Sequence, residues 1–209
     1  MYLYHMDRYS SLTPGNSITF LPVSEVMQQP ENREFLNYFN LNISSHGWNQ
    51  LNTEVPYIDS CVEDGRLAMF VDSFCSQKEV SDMKIIELIF ELVRRAHFPN
   101  KPSRFTSLFA VKEKSDFRQW PELNNKLRFP KSHILKIHVA EDIQRFDSNL
   151  LRGGLSFGSE HGKCYAGYLP IAMFNYAYKY WSGLSSDLPR FEYLIPLPIS
   201  GDQISEEYC

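Results

Sequence analysis

The sequence lacks any run of apolar residues close to the roughly 20 that a membrane-spanning helix needs. Its first residues already include polar and charged side chains, which is not the pattern of a secretory signal peptide. The four cysteines lie far apart and never form a Cys-x-x-Cys pair: Cys61, Cys75, Cys164 and Cys209. Scattered cysteines are typical of a reducing compartment and argue against a zinc site. These absences predict a cytoplasmic protein with no membrane partner and no metal site.

An excess of one charge sign is also missing. The chain has 21 Lys and Arg against 25 Asp and Glu, a formal net charge of −4, and no strongly basic block. Tight sequence-independent binding to nucleic acid is therefore not predicted. The sequence contains no Gly-x-Ser-x-Gly elbow, no Gly-x-Gly-x-x-Gly fingerprint and no P-loop. The usual α/β-hydrolase, dinucleotide-binding and Walker-type sites are disfavoured by these missing motifs.

Aromatic residues, in contrast, are abundant at 14% of the chain, with 15 Phe, 12 Tyr and 3 Trp. They supply bulky core side chains and flat surfaces on which a ring could stack. The pair Tyr180 and Trp181 ends a strongly aromatic segment. Such pairs are more often part of a core, and stacking on a ligand ring is the alternative interpretation.

The order of predicted elements indicates a single α+β domain over residues 1–209. Alternating and apolar runs predict strands at 1–9, 105–111, 133–140 and 191–195. Helical spacing predicts helices at 82–97 and 170–181, and the glycines of 150–163 predict a mobile loop. A helical or irregular insertion is expected around 25–97. No strand–helix–strand repetition indicates a doubly wound parallel sheet.

The helix at 82–97 has the clearest pattern. Ser81 is a suitable N-cap, Arg94 and Arg95 suit the last turn, and Pro99 prevents continuation. Its apolar residues recur at helical spacing and predict the buried stripe: Ile85, Ile86, Leu88, Ile89, Leu92, Val93 and Ala96.

The polar residues that carry possible chemistry lie in or beside three predicted strands. On the first strand, His5 and Arg8 are either a half-buried histidine and a surface charge, or contacts for a ribose hydroxyl and a phosphate. Beside the second lie Ser103, Arg104, Thr106 and Ser107, and hydroxyls at such a place commonly satisfy only neighbouring backbone groups. On the last, Glu192 stands among apolar residues. A carboxylate there either faces solvent or, facing a cleft, can stabilise a positive sugar-like transition state.

Three segments resemble the ADP-ribosyltransferase superfamily. Leu3-Tyr4-His5 followed by Leu12-Thr13-Pro14-Gly15 is similar to its opening strand and turn, where the strand histidine contacts the NAD ribose. Residues 105–110, Phe-Thr-Ser-Leu-Phe-Ala, resemble its middle strand, with Ser107 at the second signature position. Residues 191–196, Phe-Glu-Tyr-Leu-Ile-Pro, resemble the late strand that carries the catalytic glutamate, here Glu192.

A closer resemblance is to a bacterial family of unknown function. The shared motifs span most of the chain: Tyr-His-x-x-Arg at 4–8, Ser-x-His-Gly at 44–47, Pro-Ser-Arg-Phe-x-Ser-Leu-Phe-Ala at 102–110, Phe-Asp-x-Asn-Leu-Leu at 146–151 and Tyr-Trp-x-Gly at 180–183. We expect this family to belong to the ADP-ribosyltransferases.

The resemblance implies a split β core of two packed small sheets with flanking helices, and an NAD pocket between the sheets. It implies that His5 or Arg8 anchors a ribose and that Ser107 supports it. Arg104 would contact the pyrophosphate, Tyr180 would stack on nicotinamide, and Glu192 would stabilise the oxocarbenium. The expected activity is transfer of ADP-ribose from NAD to a protein or nucleic-acid acceptor, as in a bacterial or phage toxin that an antitoxin neutralises.

Two departures from the family pattern leave the acceptor open. The middle strand has no Ser-Thr-Ser run, and position 190 is Arg190 where the arginine-modifying branch has a second acidic or amide residue, so arginine modification is disfavoured. Two alternatives remain: an NAD glycohydrolase, in which water replaces the acceptor, and a catalytically inert interaction protein of the same fold.

Overall fold

The computed structural model describes residues 1–26, 36–51, 82–120, 129–152, 155–160, 163–168 and 170–207. Its helices, numbered along the chain, are α1 (Val23–Val26), α2 (Ser45–Leu51), α3 (Asp82–His97) and α4 (Pro170–Trp181). Its strands are β1 (Tyr2–Asp7), β2 (Ser107–Ala110), β3 (His133–His138), β4 (Arg145–Asp147), β5 (Leu155–Glu160), β6 (Lys163–Tyr168), β7 (Phe191–Pro196) and β8 (Ile204–Glu207). Short 3-10 turns connect several of them. The four predicted strands and the two predicted helices are confirmed.

Two antiparallel sheets of three strands organise the described chain. The first sheet has the order β1-β3-β8 and the second has the order β2-β7-β4. Strand β2 is an edge of the second sheet, and just past its end a bridge between Tyr4 and Val111 links it to β1. Within the described residues, the class is therefore α+β, with the two sheets meeting along β1 and β2.

The core has two layers because alternate residues of β7 face opposite ways. Ile195 packs with Leu3 and Leu135 of the first sheet, and this cluster lies between the two sheets. Leu194 instead packs with α3 and α4, which cover the other face of the second sheet. Glu192 is two residues before Leu194 and therefore faces the helices. Glu192, the charged residue of β7, thus faces the helix layer, whereas we predicted a pocket between the sheets.

The predicted loop at 150–163 is wrong in its second half. Residues 155–160 form β5, which pairs in antiparallel register with β6. Apolar and polar residues alternate in Leu155-Ser156-Phe157, and this strand pattern outweighs the neighbouring glycines. Gly158 lies within β5, while Gly153, Gly154 and Gly162 lie outside the described residues.

The predicted insertion at 25–97 lies partly outside the described residues, at 27–35 and 52–81. Its described parts include α2, in a stretch for which no regular element is predicted, and α3, which belongs to the core beside α4. Within the described ranges, no helix has the length and apolar character needed to cross a membrane.

Candidate functional site

Four side chains from four segments meet between the second sheet and the helices. The Arg104 guanidinium donates to both oxygens of Glu87, from Nε to Oε2 at 2.7 Å and from Nη2 to Oε1 at 2.8 Å. Its Nη1 donates to Glu192 Oε1 and, at 2.8 Å, to the Tyr180 hydroxyl oxygen. The Tyr180 hydroxyl in turn donates to Glu192 Oε1 at 2.7 Å. We call Glu87, Arg104, Tyr180 and Glu192 the acid–arginine cluster.

Arg104 is aimed into the cluster by a 3-10 turn at Arg104–Thr106. The Ser103 hydroxyl oxygen caps this turn by accepting from the Phe105 N–H at 3.1 Å. The Ser107 hydroxyl donates to the Ser103 carbonyl at 2.7 Å and is buried. Ser107 therefore holds the turn that presents Arg104, and the structure places its hydroxyl on backbone rather than at a surface.

Tyr180 lies in the last turn of α4 and has no exposed surface. Its ring stacks on Phe146 with centroids 4.8 Å apart and meets Phe90 edge-to-face at 5.5 Å. With both ring faces in the core, its polar contribution is the hydroxyl on Glu192. The predicted stacking on nicotinamide finds no open ring face here.

Glu192 occupies the second position of β7, opposite Phe146 of β4. Both hydrogen bonds that it receives go to Oε1, and in the described part of the chain none reaches Oε2. The Glu192 side chain is 9% exposed. One carboxylate oxygen is thus fixed in place while the other keeps its capacity to accept.

His46 approaches the cluster from α2, and the Ser-x-His-Gly motif explains how. Ser44 caps α2 by accepting from the Gly47 N–H at 3.1 Å, and its own hydroxyl donates to the Phe105 carbonyl at 2.9 Å. A Cβ on Gly47 would lie 2.4 Å from that carbonyl oxygen, so only glycine allows this approach. As a result His46 Nε2 lies 3.5 Å from Glu87 Oε1.

The sequence prediction missed Glu87, and the predicted buried stripe of α3 is right only in part. Ile86 and Val93 are buried, and Ile85 and Ile89 pack against the same core cluster. Glu87 and Glu91 are 1% exposed, whereas Leu88 and Leu92, placed in the predicted buried stripe, are 37% and 50% exposed. Glu87 and Glu91 are four residues apart, so they share one face of α3, and each directly follows a buried apolar residue of that face, Ile86 or Phe90. Glu91 is held by Arg94, Arg95 and Ser103.

The two candidates on β1 separate clearly. His5 is partly buried, and its Nδ1 lies 2.7 Å from the carbonyl oxygen of Phe109 on β2. The Phe109 ring lies 4.5 Å from the Arg104 guanidinium and 4.5 Å from the His46 ring. Arg8 is exposed beside the rings of Tyr9 and Phe129, and no described contact joins it to the cluster. His5, rather than Arg8, therefore lies towards the cluster.

The electrostatics of the cluster leave one negative charge. Burial alone would raise the pKa of Glu87, but the charge of Arg104, together with His46 in its cationic form, outweighs burial and lowers that pKa to about 2. Burial opposes the charge on Arg104, yet Glu192 and Glu87 raise its pKa well above the ordinary value. Burial and the Glu192 charge raise the pKa of Tyr180, which stays a neutral donor. Two carboxylates facing one guanidinium carry a formal charge of −1 when His46 is neutral.

A cleft of about 290 Å³ adjoins these segments in sequence. Lys101 and Pro102, just before Arg104, form one wall, and Leu194 and Pro196, just after Glu192, form another. Asn100, Asp142, Ile143 and Gln144 complete the lining, and the Gln144 backbone carbonyl accepts from the Leu194 N–H at 3.4 Å. Its volume lies at the lower end of that of small-molecule sites, and its lining includes none of the four residues of the acid–arginine cluster.

Comparison with known proteins places the chain in a family without assigning an activity. A search of curated proteins found none that matches it. A family model described as "Protein of unknown function (DUF2441)" matches residues 3–207, a stretch that includes His5, His46 and the whole acid–arginine cluster. Because the match covers almost the full chain, this protein belongs to the DUF2441 family.

Proposed function

We propose that this protein is a cytoplasmic NAD-dependent ADP-ribosyltransferase, a toxin or conflict effector of bacterial or phage origin. The observation that carries the proposal is the state of Glu192. Arg104 and Tyr180 hold its Oε1, and Oε2 accepts no hydrogen bond from the described residues. A carboxylate held in this way is suited to accept the 2′-hydroxyl of the nicotinamide ribose.

The charge of the cluster suits the proposed reaction. When the bond from the ribose C1′ to the nicotinamide nitrogen breaks, its electron pair leaves with nicotinamide and the sugar becomes an oxocarbenium ion. The formal −1 charge of the buried cluster stabilises that cation. A nucleophilic oxygen or nitrogen of a protein or nucleic-acid acceptor then bonds to C1′, and its proton passes to solvent.

The geometry redistributes the roles expected from sequence. Arg104 and Tyr180 orient Glu192 instead of contacting pyrophosphate and nicotinamide, because both are buried and hydrogen-bonded to it. Ser107 braces the turn of Arg104. His5 binds the edge strand β2 through the Phe109 carbonyl, close to the place where the two sheets meet. A split β core of two packed sheets is compatible with the observed pair of three-stranded sheets.

The test uses NAD labelled in its adenylate part, incubated with purified protein with and without cell lysate. We expect label on a macromolecule only when lysate and wild type are both present, and no label with Glu192→Gln. Glu206→Gln, which changes an exposed carboxylate on β8, is the matched control and should label as wild type does. Free ADP-ribose formed without lysate would instead identify a glycohydrolase.

A second candidate is a catalytically inert interaction protein. Complete burial of Tyr180 and near-complete burial of Arg104 favour it, because a cluster that satisfies itself can serve the fold alone. A partner such as an antitoxin would then meet the exposed face of α4, where Ile171 is 69% and Tyr178 is 45% exposed. Absence of NAD binding at millimolar concentration, with a protein that co-purifies stoichiometrically, would support this candidate.

A further inference from the structure

His46 is the member of this neighbourhood with the largest contact with solvent. Its side chain is 30% exposed, against 1% for Glu87, 5% for Arg104 and 9% for Glu192. Its Nε2 is nevertheless buried, has no hydrogen-bond partner among the residues that the structure describes, and lies 3.5 Å from Glu87 Oε1. His46 therefore stands between water and the buried acidic side of the cluster.

The position of His46 is built by the fold rather than left to chance. The Ser44 cap and the close approach of Gly47 to Phe105 fix the start of α2 on the turn that carries Arg104. The His46 ring then meets the Phe109 ring edge-to-face. The Arg104 guanidinium lies over the same Phe109 ring, so Phe109 contacts both His46 and the acid–arginine cluster.

The charged groups around His46 define what its protonation does. Among described residues, Glu87 faces it from α3, Arg104 lies across Phe109, and His5 is bonded to the far side of the Phe109 backbone. Glu91, one turn along α3, is already taken up by Arg94, Arg95 and Ser103. A protonated His46 would thus form an ion pair with Glu87. The formal charge of the cluster together with His46 would then change from −1 to zero.

We infer that His46 is a positioning residue for the reaction centre at Glu192, and that the cluster is active when His46 is neutral and is switched off when it is protonated. This inference rests on the proposed function. With His46 neutral, the spare negative charge is available to the oxocarbenium ion. With His46 protonated, that charge is cancelled, and Glu87 divides its oxygens between two cations, which leaves Arg104 bound more tightly to Glu192.

The experiment is a profile of kcat/KM for nicotinamide release between pH 5 and 8.5. In wild type, we expect kcat/KM to fall on the acid side by about tenfold per pH unit, because the neutral form of His46 is required. His46→Gln keeps an N–H that can reach Glu87 but takes up no proton, and we expect a change of less than about twofold over the same range. His138→Gln, at an exposed histidine on β3, is the matched control and should follow wild type.

Two outcomes separate the role of His46 from the function of Glu192. An acid limb in His46→Gln that superimposes on that of wild type would overturn the role of His46 while leaving the function of Glu192 intact. Should His46→Gln melt well below wild type, His46→Asn provides the same comparison with a smaller amide. No nicotinamide release by wild type at any pH would remove the proposed function, and this inference with it.

Discussion

At the scale of single residues, Arg104 is the centre of the account. It is a buried guanidinium that makes paired hydrogen bonds to Glu87 and reaches Glu192 and Tyr180 with the remaining nitrogen. The planar fork of arginine fits this arrangement, and a lysine ammonium does not. Removing the cation would leave two carboxylates in a low-dielectric layer without a partner, which is far more costly than losing one surface ion pair.

Arg104→Met keeps most of the side-chain volume and removes the charge. We expect it to lower the free energy of unfolding by about 3–5 kcal/mol, the cost typical of a buried pair that loses one partner. Urea unfolding followed by tryptophan fluorescence measures the change. Arg118→Met, at an exposed arginine, is the matched control and should change stability by less than about 0.5 kcal/mol. Equal effects of the two substitutions would contradict the central role of Arg104.

At the scale of elements, α2 and the turn at Arg104–Thr106 act as one unit. The Phe105 carbonyl accepts from both the Ser44 N–H and the Ser44 hydroxyl, each at 2.9 Å, so its position is held. Gly47 packs directly against it. The geometry of this contact decides where His46 and Arg104 point, and thereby links two segments that are far apart in the chain.

Gly47→Ala tests this contact with a single methyl group. Alanine is the better helix former by about 1 kcal/mol, so local propensity alone predicts stabilisation. The clash with a fixed carbonyl reverses the sign, and we expect a loss of about 1–3 kcal/mol in chemical denaturation. Ser45→Ala, one helical position into α2 and exposed, should stay within about 0.5 kcal/mol of wild type. A stabilised Gly47→Ala would refute the close approach.

The elements also show what sequence reasoning could reach. The bounds of α3 and α4 could be predicted from helical spacing, basic residues in the last turn and proline, all of which are local features of the sequence. The buried face of α3 could not be predicted from local sequence in the same way. Glu87 is stabilised there by Arg104, which lies outside the helix. The burial of Glu91 is easier to predict, since its partners Arg94 and Arg95 lie three and four residues further along the same helix. The pairing of β5 with β6 is not predicted, because the glycines of 150–163 indicate a loop more strongly than the short alternation of apolar and polar residues indicates a strand.

At the scale of the whole molecule, the cluster joins three structural layers. Glu87 comes from α3, Tyr180 from α4 and Glu192 from the second sheet, while His5 ties in the first sheet through β2. His5, Arg104, Ser107 and Glu192 could be named from sequence because each lies in or beside an apolar, strand-like run, and Tyr180 because it belongs to an aromatic segment. Their grouping around one arginine could not, because it depends on how β7 stacks against both helices.

Such a buried cluster makes stability depend on pH in a defined window. The folded pKa of Glu87 is about 2, against an ordinary 4.5. Because the folded pKa is the lower one, the stability that Glu87 contributes is complete above pH 4.5 and is lost as the pH falls towards 2. A pKa lower by about 2.5 corresponds to about 3 kcal/mol, and about 2 kcal/mol of it is gone by pH 3.

The pH dependence is checked by urea unfolding at pH 6 and pH 3. The stability advantage of wild type over Glu87→Gln should shrink by about 2 kcal/mol between the two values. The difference between wild type and Glu206→Gln, at an exposed carboxylate, should stay nearly constant. An advantage over Glu87→Gln that does not change with pH would show that Glu87 is not the depressed carboxylate described here.

The central claim is that Glu192 stabilises the oxocarbenium ion formed when NAD is cleaved. Its most direct test compares the rates of nicotinamide release by wild type and Glu192→Gln at saturating NAD. The substitution removes one charge, keeps the shape, and leaves Arg104 paired with Glu87, so the melting temperature should change by only a few degrees. We predict that kcat falls by about 100-fold or more, as expected when the main transition-state charge is removed. Equal rates for the two folded proteins would contradict the account.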